Sequence, residues 1–197
     1  MDRIRLTIAL VAVLCFGTVQ ARSLMGKSSP PPSLPFPALT NCQQKADSTP
    51  FRVSMTVTKA IPAQTFCFNI TTATPNNTAT SCGKATKLER VQFWAAYANR
   101  TGITTITVRD TKGAQKTVSG AWIKSGNTYN DELVIANLGW TAGYIATASP
   151  RICLTLHADL PLDTLCLGPA GRCTIGLYST GASSAKCCPV YTVPLSA

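Results

Sequence analysis

The chain has 197 residues, 45% of them hydrophobic and 13% charged, with a formal net charge of +10. A chain of this length can bury a sizeable core, roughly 70% of its unfolded surface. The basic residues Lys84, Lys87, Arg90, Arg100, Arg109, Lys112, Lys116 and Lys124 occur singly, and no nucleic-acid motif accompanies them, so no nucleic-acid partner is expected. Scattered positive charge suits a solvated surface or weak attraction to an anionic extracellular polysaccharide.

Arg3 and Arg5 precede an apolar run from Ile8 to Phe16 and the small residues Val19 and Ala21. That order predicts a secretory signal peptide over residues 1–21, cleaved after Ala21. The apolar run is too short to span a bilayer and no later stretch approaches it, so no membrane span is expected. Removing residues 1–21 leaves 176 residues, with 16 basic and 7 acidic side chains and a net charge of +9. It also removes Cys15 and leaves eight cysteines: Cys42, Cys67, Cys82, Cys153, Cys166, Cys173, Cys187 and Cys188. In an oxidising compartment an even count predicts up to four disulfides, whose connectivity the count leaves open. Cys67 and Cys82 are close enough in sequence to form a local pair. The neighbours Cys187 and Cys188 are expected to bridge two different distant cysteines, Cys42 and one of Cys153, Cys166 or Cys173, because bridges prefer Cα atoms about 4.4–6.8 Å apart.

Ser28 to Pro37 reads SSPPPSLPFP, with five prolines in ten residues. It is expected to form a polyproline II stretch of about 30 Å within a Pro/Ser-rich stub over residues 22–40. A domain over 41–197 follows. Phe51, Val53, Met55 and Val57 alternate with polar residues, and so do Phe66, Phe68 and Ile70, whose intervening face carries Thr65, Cys67, Asn69 and Thr71. Further strands are predicted at Leu88–Ala95, Ile103–Val108, Thr117–Ile123, Leu133–Leu138 and Ile152–Leu156, with Ile175 and Leu177 in another. Ile103–Val108 and Thr117–Ile123 read as a hairpin about a turn at Asp110–Gly113. No helical period stands out. The fold class is therefore all-β: one antiparallel, disulfide-stapled β-sandwich of jelly-roll type, preferred over a barrel.

Four C-terminal stretches, Ile152-Cys153-Leu154-Thr155-Leu156, Thr164-Leu165-Cys166, Gly171-Arg172-Cys173 and Cys187-Cys188-Pro189, resemble the pherophorin domain of green-algal extracellular-matrix glycoproteins. Pro50–Arg52, Phe66–Asn69 and Leu88–Ala95 are similar to that domain's earlier strands, so the resemblance covers about residues 41–189. Pherophorins carry a long hydroxyproline-rich rod between two globular domains, where this sequence has a stub, and residues 83–152 lack the cysteines usual in the family. The resemblance implies a secreted structural or interaction glycoprotein of a matrix or cell wall. Its partners would be matrix polysaccharide or other matrix glycoproteins. A secreted carbohydrate-binding or sexual-induction signalling module is the alternative that the family permits.

Catalytic chemistry finds little support. The single histidine, His157, lies near Asp159 and Asp163, but no G-x-S-x-G turn supplies a nucleophile. Asp131 and Glu132 form the best acidic pair, yet neighbours on a strand point to opposite sides. Six residues lie between Cys166 and Cys173, outside zinc-ligand spacing. No catalytic, metal or cofactor site is expected. Asn69-Ile70-Thr71, Asn76-Asn77-Thr78 and Asn99-Arg100-Thr101 are N-glycosylation sequons. Among Trp94, Trp122, Trp140 and Tyr144, the Gly-rich stretch 139–144 makes Trp140 and Tyr144 the candidates for stacking on a sugar.

Overall fold

Where apolar and polar residues alternate, a strand can bury one face and hydrate the other. In the computed structural model the described residues are Phe36, 42–60, 64–110, 112–124 and 131–195, without the side chains of Met55, Thr56 and Ala60. They belong to one compact unit, Leu34–Ala197. The signal peptide expected at 1–21 and, Phe36 apart, the stub at 22–40 lie outside them. The strands are β1 Phe51–Ala60, β2 Gln64–Thr72, β3 Lys87–Leu88, β4 Arg90–Trp94, β5 Ile103–Arg109, β6 Gln115–Thr117 and β7 Ala121–Ile123. They continue with β8 Glu132–Ile135, β9 Trp140–Thr141, β10 Arg151–Leu156, β11 Arg172–Thr180, β12 Lys186–Cys187 and β13 Val190–Pro194.

The strands build one sheet in the order β1-β2-β10-β5-β6 and a second in the order β12-β11-β4-β8-β7, with β13 also on β11 and β3 pairing β9 apart. Every strand pair is antiparallel. Phe51, Val53, Phe68, Ile70, Ile106, Ile152 and Leu154 of the first sheet are buried in one core with Val91, Phe93, Leu133, Ile135, Ile175, Leu177 and Val193 of the second. The Phe68 and Phe93 rings meet edge to face at 4.9 Å, joining β2 to β4 across the core. The protein is an antiparallel β-sandwich.

Two local readings are corrected. Residues 117–123 do not form one strand: β6 stays with β5, while β7 pairs β8 in the opposite sheet. Gly120 lies at the crossing, where a Cβ would sit 2.9 Å from Ile106 Cδ1 and collide with Leu133, so the chain changes sheets where it carries no side chain. Among the described residues there are also two short α-helices, α1 Ala142–Ala148 and α2 Leu162–Leu165. Thr141 caps α1 by accepting a hydrogen bond from the Tyr144 amide at 3.1 Å. Only Ile145 and Ala148 of α1 are buried, too few to leave a helical period in the sequence.

The cysteine pairs are Cys42–Cys188, Cys67–Cys153, Cys82–Cys187 and Cys166–Cys173. Cys187 and Cys188 do clasp two distant segments, but Cys187 takes Cys82 in place of Cys153, Cys166 or Cys173. The expected Cys67–Cys82 pair is likewise replaced. Cys67 and Cys153 stand directly opposite on β2 and β10, with Cα atoms 4.0 Å apart, on the face turned away from the core. The Cys82 loop reaches Cys187 past Gly181, where a Cβ would lie 2.5 Å from Ser81 O. The first described segment is also hydrogen-bonded to the last: Gln43 N donates to Lys186 O at 3.0 Å and Cys188 N donates to Gln43 O at 2.9 Å.

Tyr191 of β13 pins the entry to β1. Its hydroxyl donates to Phe51 O at 3.1 Å and accepts from Asp47 N at 3.3 Å, beside the Arg52–Asp47 ion pair at 2.6 Å. Tyr191→Phe is expected to cost about 1 kcal/mol in urea unfolding. Burial, the largest influence, lifts the Tyr191 pKa above its ordinary value of 10.0. The folded state therefore holds this proton more tightly than the unfolded chain. Its contribution to stability is complete below pH about 10 and is lost as pH rises through the folded pKa. Tyr191→Phe should flatten that alkaline loss.

Candidate functional site: a cleft at the end of the second sheet

At the N-terminal end of β4, Arg90 is in register with Tyr178 of β11, and its guanidinium carbon lies 3.9 Å from the centre of the Tyr178 ring. Such a pair is worth about 0.5–1 kcal/mol where exposed and holds a cation at a fixed place. Arg90 Nε is buried with no hydrogen-bond partner among the described residues. The chain leaving β8 turns beside it through Asn137 and Gly139, whose φ angles are +59° and +61°. Together Glu89, Arg90, Ala136, Asn137, Gly139 and Tyr178 line a cleft of about 490 Å³. A cation, a carboxylate, an amide and an aromatic ring in one open cleft can hydrogen-bond and stack on a polar ring such as a sugar.

Of the two aromatics expected to contact a glycan, Trp140 is 8% exposed and belongs to the core, whereas Tyr144 on α1 is 37% exposed. The structure thus corrects the expectation for Trp140, which presents little face to a ligand. The two rings are 6.0 Å apart, so Trp140 serves as a backing for Tyr144. Burial first, then the Asp110 carboxylate, raises the Tyr144 hydroxyl pKa.

His157 is exposed and shares a second cleft, of about 440 Å³, with Asn99, Thr101, Gly102, Asp159 and Leu160. Asp131 and Glu132 are 4% and 1% exposed, a burial that alternation did not reveal. They face separate partners: Asp131 Oδ2 accepts from Tyr97 N at 3.1 Å and Glu132 Oε2 accepts from Gln92 Nε2 at 2.9 Å. Among the described residues no three His, Cys, Asp or Glu side chains converge as metal ligands. No described helix is long and apolar enough to cross a membrane.

The three sequons differ in setting. Asn76 is exposed in the loop after β2, while Asn69 is half-buried within β2 opposite Arg151. Asn99 is half-buried, and its Nδ2 donates to Thr164 O at 2.8 Å.

A family model described as Pherophorin matches residues 36–189, nearly the whole sandwich. The chain belongs to the pherophorin family. This pherophorin is also 28% identical over 170 residues to Perphorin-2 of Volvox carteri, an alignment that takes in 81% of this chain. It spans 33% of that relative's length. The pherophorin match begins at Phe36, inside the proline-rich stretch and ahead of the domain start expected at residue 41. Arg90, Asn137 and Tyr178 were missed as a group in the sequence, because 88 positions separate Arg90 from Tyr178 and only strand pairing brings them together.

Proposed function

We propose that this chain is a secreted structural and interaction glycoprotein of an extracellular matrix or cell wall, working as a single pherophorin domain. The observation that carries the reading is the family match over residues 36–189, which extends to the cysteine clasp at Cys187-Cys188-Pro189. Residues 1–21 would be removed as a signal peptide after Ala21, residues 22–40 would remain as a short tether, and 41–197 would form the working domain. Four disulfides support an oxidising destination. Asn69, Asn76 and Asn99 would carry N-glycans. The partner would be matrix polysaccharide or another matrix glycoprotein, met at Tyr144 and the Arg90–Tyr178 cleft and drawn by the positive surface. The reading is structural and assigns no residue a catalytic role.

Fractionation of a tagged chain tests it. The expected result is recovery with wall material that resists salt extraction. Recovery from the medium alone would favour the diffusible signalling module, and cytosolic protein with free thiols would overturn secretion. Peptide mass mapping of the secreted chain should find a glycan on Asn76, and Asn76→Gln should lower the mass by that one glycan.

A further inference from the structure

The outward face of the second sheet carries a row of side chains that the core does not use. Phe93 points inward to Phe68, so Gln92 and Trp94, its neighbours on β4, face outward, as does Thr174 beside the inward Ile175 on β11. Phe36, from the proline-rich stretch, lies on this face: its ring stacks on Trp94 with centroids 5.7 Å apart and planes 12° from parallel, and only 7% of the residue is exposed. Gly168 forms a neighbouring wall, where a Cβ would come 3.5 Å from Trp94 Cε3 and run into Thr174 Oγ1. Gln92 and Thr174 are 0% and 5% exposed, yet Gln92 Oε1 and Thr174 Oγ1 have no hydrogen-bond partner among the described residues. Two buried polar atoms thus lie beside an aromatic seat with no partner among the described residues.

The sequence around Phe36 has a complementary character. Pro35 and Pro37 flank it. Their rings favour polyproline II, a backbone whose carbonyls and remaining N–H groups are free to bond outward. Aromatic-lined grooves are a recurrent receptor for such segments. Phe36 stands only six positions before Cys42, which is locked to Cys188, a tether of at most about 20 Å.

We infer that this face is a receptor for the chain's own Leu34-Pro35-Phe36-Pro37 segment, and that copies of the chain join by seating that segment on a neighbour. A chain that closes on itself and one that donates its segment use the same contacts, so exchange needs no new surface. A reciprocal exchange closes as a two-fold dimer, whereas a one-way contact can extend into a row of copies. The inference stands apart from the matrix reading, because it concerns only how copies of this chain meet.

Complementation between two full-length variants tests it. Phe36→Ala keeps the seat and removes the ring that fills it, whereas Trp94→Ala keeps the segment and removes the seat. By sedimentation velocity each variant alone should stay monomeric, and the mixture should form a heterodimer. Relief from the competing intramolecular segment should make that association at least ten times tighter than self-association of the unaltered chain. No complex in the mixture, or the same complex from Trp94→Ala alone, would overturn the inference. A second arm does not depend on how Trp94→Ala folds: the Phe36→Ala chain is titrated with a synthetic peptide of residues 28–40, followed by tryptophan fluorescence. Saturable binding that disappears when the peptide carries Ala in place of Phe36 supports the seat, and equal binding of both peptides overturns it.

Discussion

The double variant Cys42→Ser/Cys188→Ser is expected to melt about 10–20 °C below the unaltered protein in non-reducing calorimetry. The bridge it removes spans a sequence separation of 146, the longest of the four. Chain-entropy reasoning assigns such a loop about 5 kcal/mol, against about 2.5 kcal/mol for the separation of seven between Cys166 and Cys173. Replacing both partners avoids a stray thiol that could exchange with the adjacent Cys82–Cys187 bridge. Gln43, Cys188 and Val190 should remain backbone-paired with the opposite terminal segment, so the variant should fold to the same sandwich with a lower melting point. A loss no larger than that of Cys166→Ser/Cys173→Ser would show that hydrogen bonding already fixes the two ends together.

Phe93→Ala is expected to cost about 3–5 kcal/mol, read as a lower urea midpoint at unchanged slope. Phe93 is 1% exposed, and β4 is flanked on both sides, with Phe93 opposite Ile175 on β11 and Leu133 on β8. Its ring also meets Phe68 across the core. No strand edge adjoins the site, so the surrounding backbone cannot readily close over the space that the lost ring leaves. Trp122→Ala, on the edge strand β7 where the ring is only half-buried, should cost much less.

Alternation made the long strands legible, since Phe51, Val53 and Val57 of β1, Phe68 and Ile70 of β2, and Ile152, Leu154 and Leu156 of β10 are buried as the period of two assigns them. The same period held the answer for one disulfide. With Phe66, Phe68, Ile152 and Leu154 on the inward face, Cys67 and Cys153 must both face outward, and so could pair across strands. Closeness in sequence argued instead for Cys67 with Cys82, and strand pairing prevailed. The break between β6 and β7 was hidden because Thr117–Ile123 keeps a strand-like composition across Gly120. What a single residue contacts on the opposite sheet leaves no local trace. Trp140 misled for a related reason. Its Gly-rich surroundings suggested an exposed loop, but Trp140 sits in β9 against Leu88, which turns its indole into the core. The Arg90–Tyr178 cleft and the Phe36–Trp94 stack are non-local in the same sense, and only the sheet register and the fold reveal them.

The vicinal clasp also bears on how the protein is made. Of the eight paired cysteines Cys187 and Cys188 are synthesised last, and they are the partners of Cys82 and Cys42. During translation those two earlier thiols must wait while more than 100 residues are added, whereas Cys166 meets Cys173 after seven. Two of the four covalent links therefore form only after the far end of the sandwich has been made. A chain that stops short of residue 187 lacks the partners of both Cys42 and Cys82 and is left with two unpaired thiols, open to exchange with the bridges already formed.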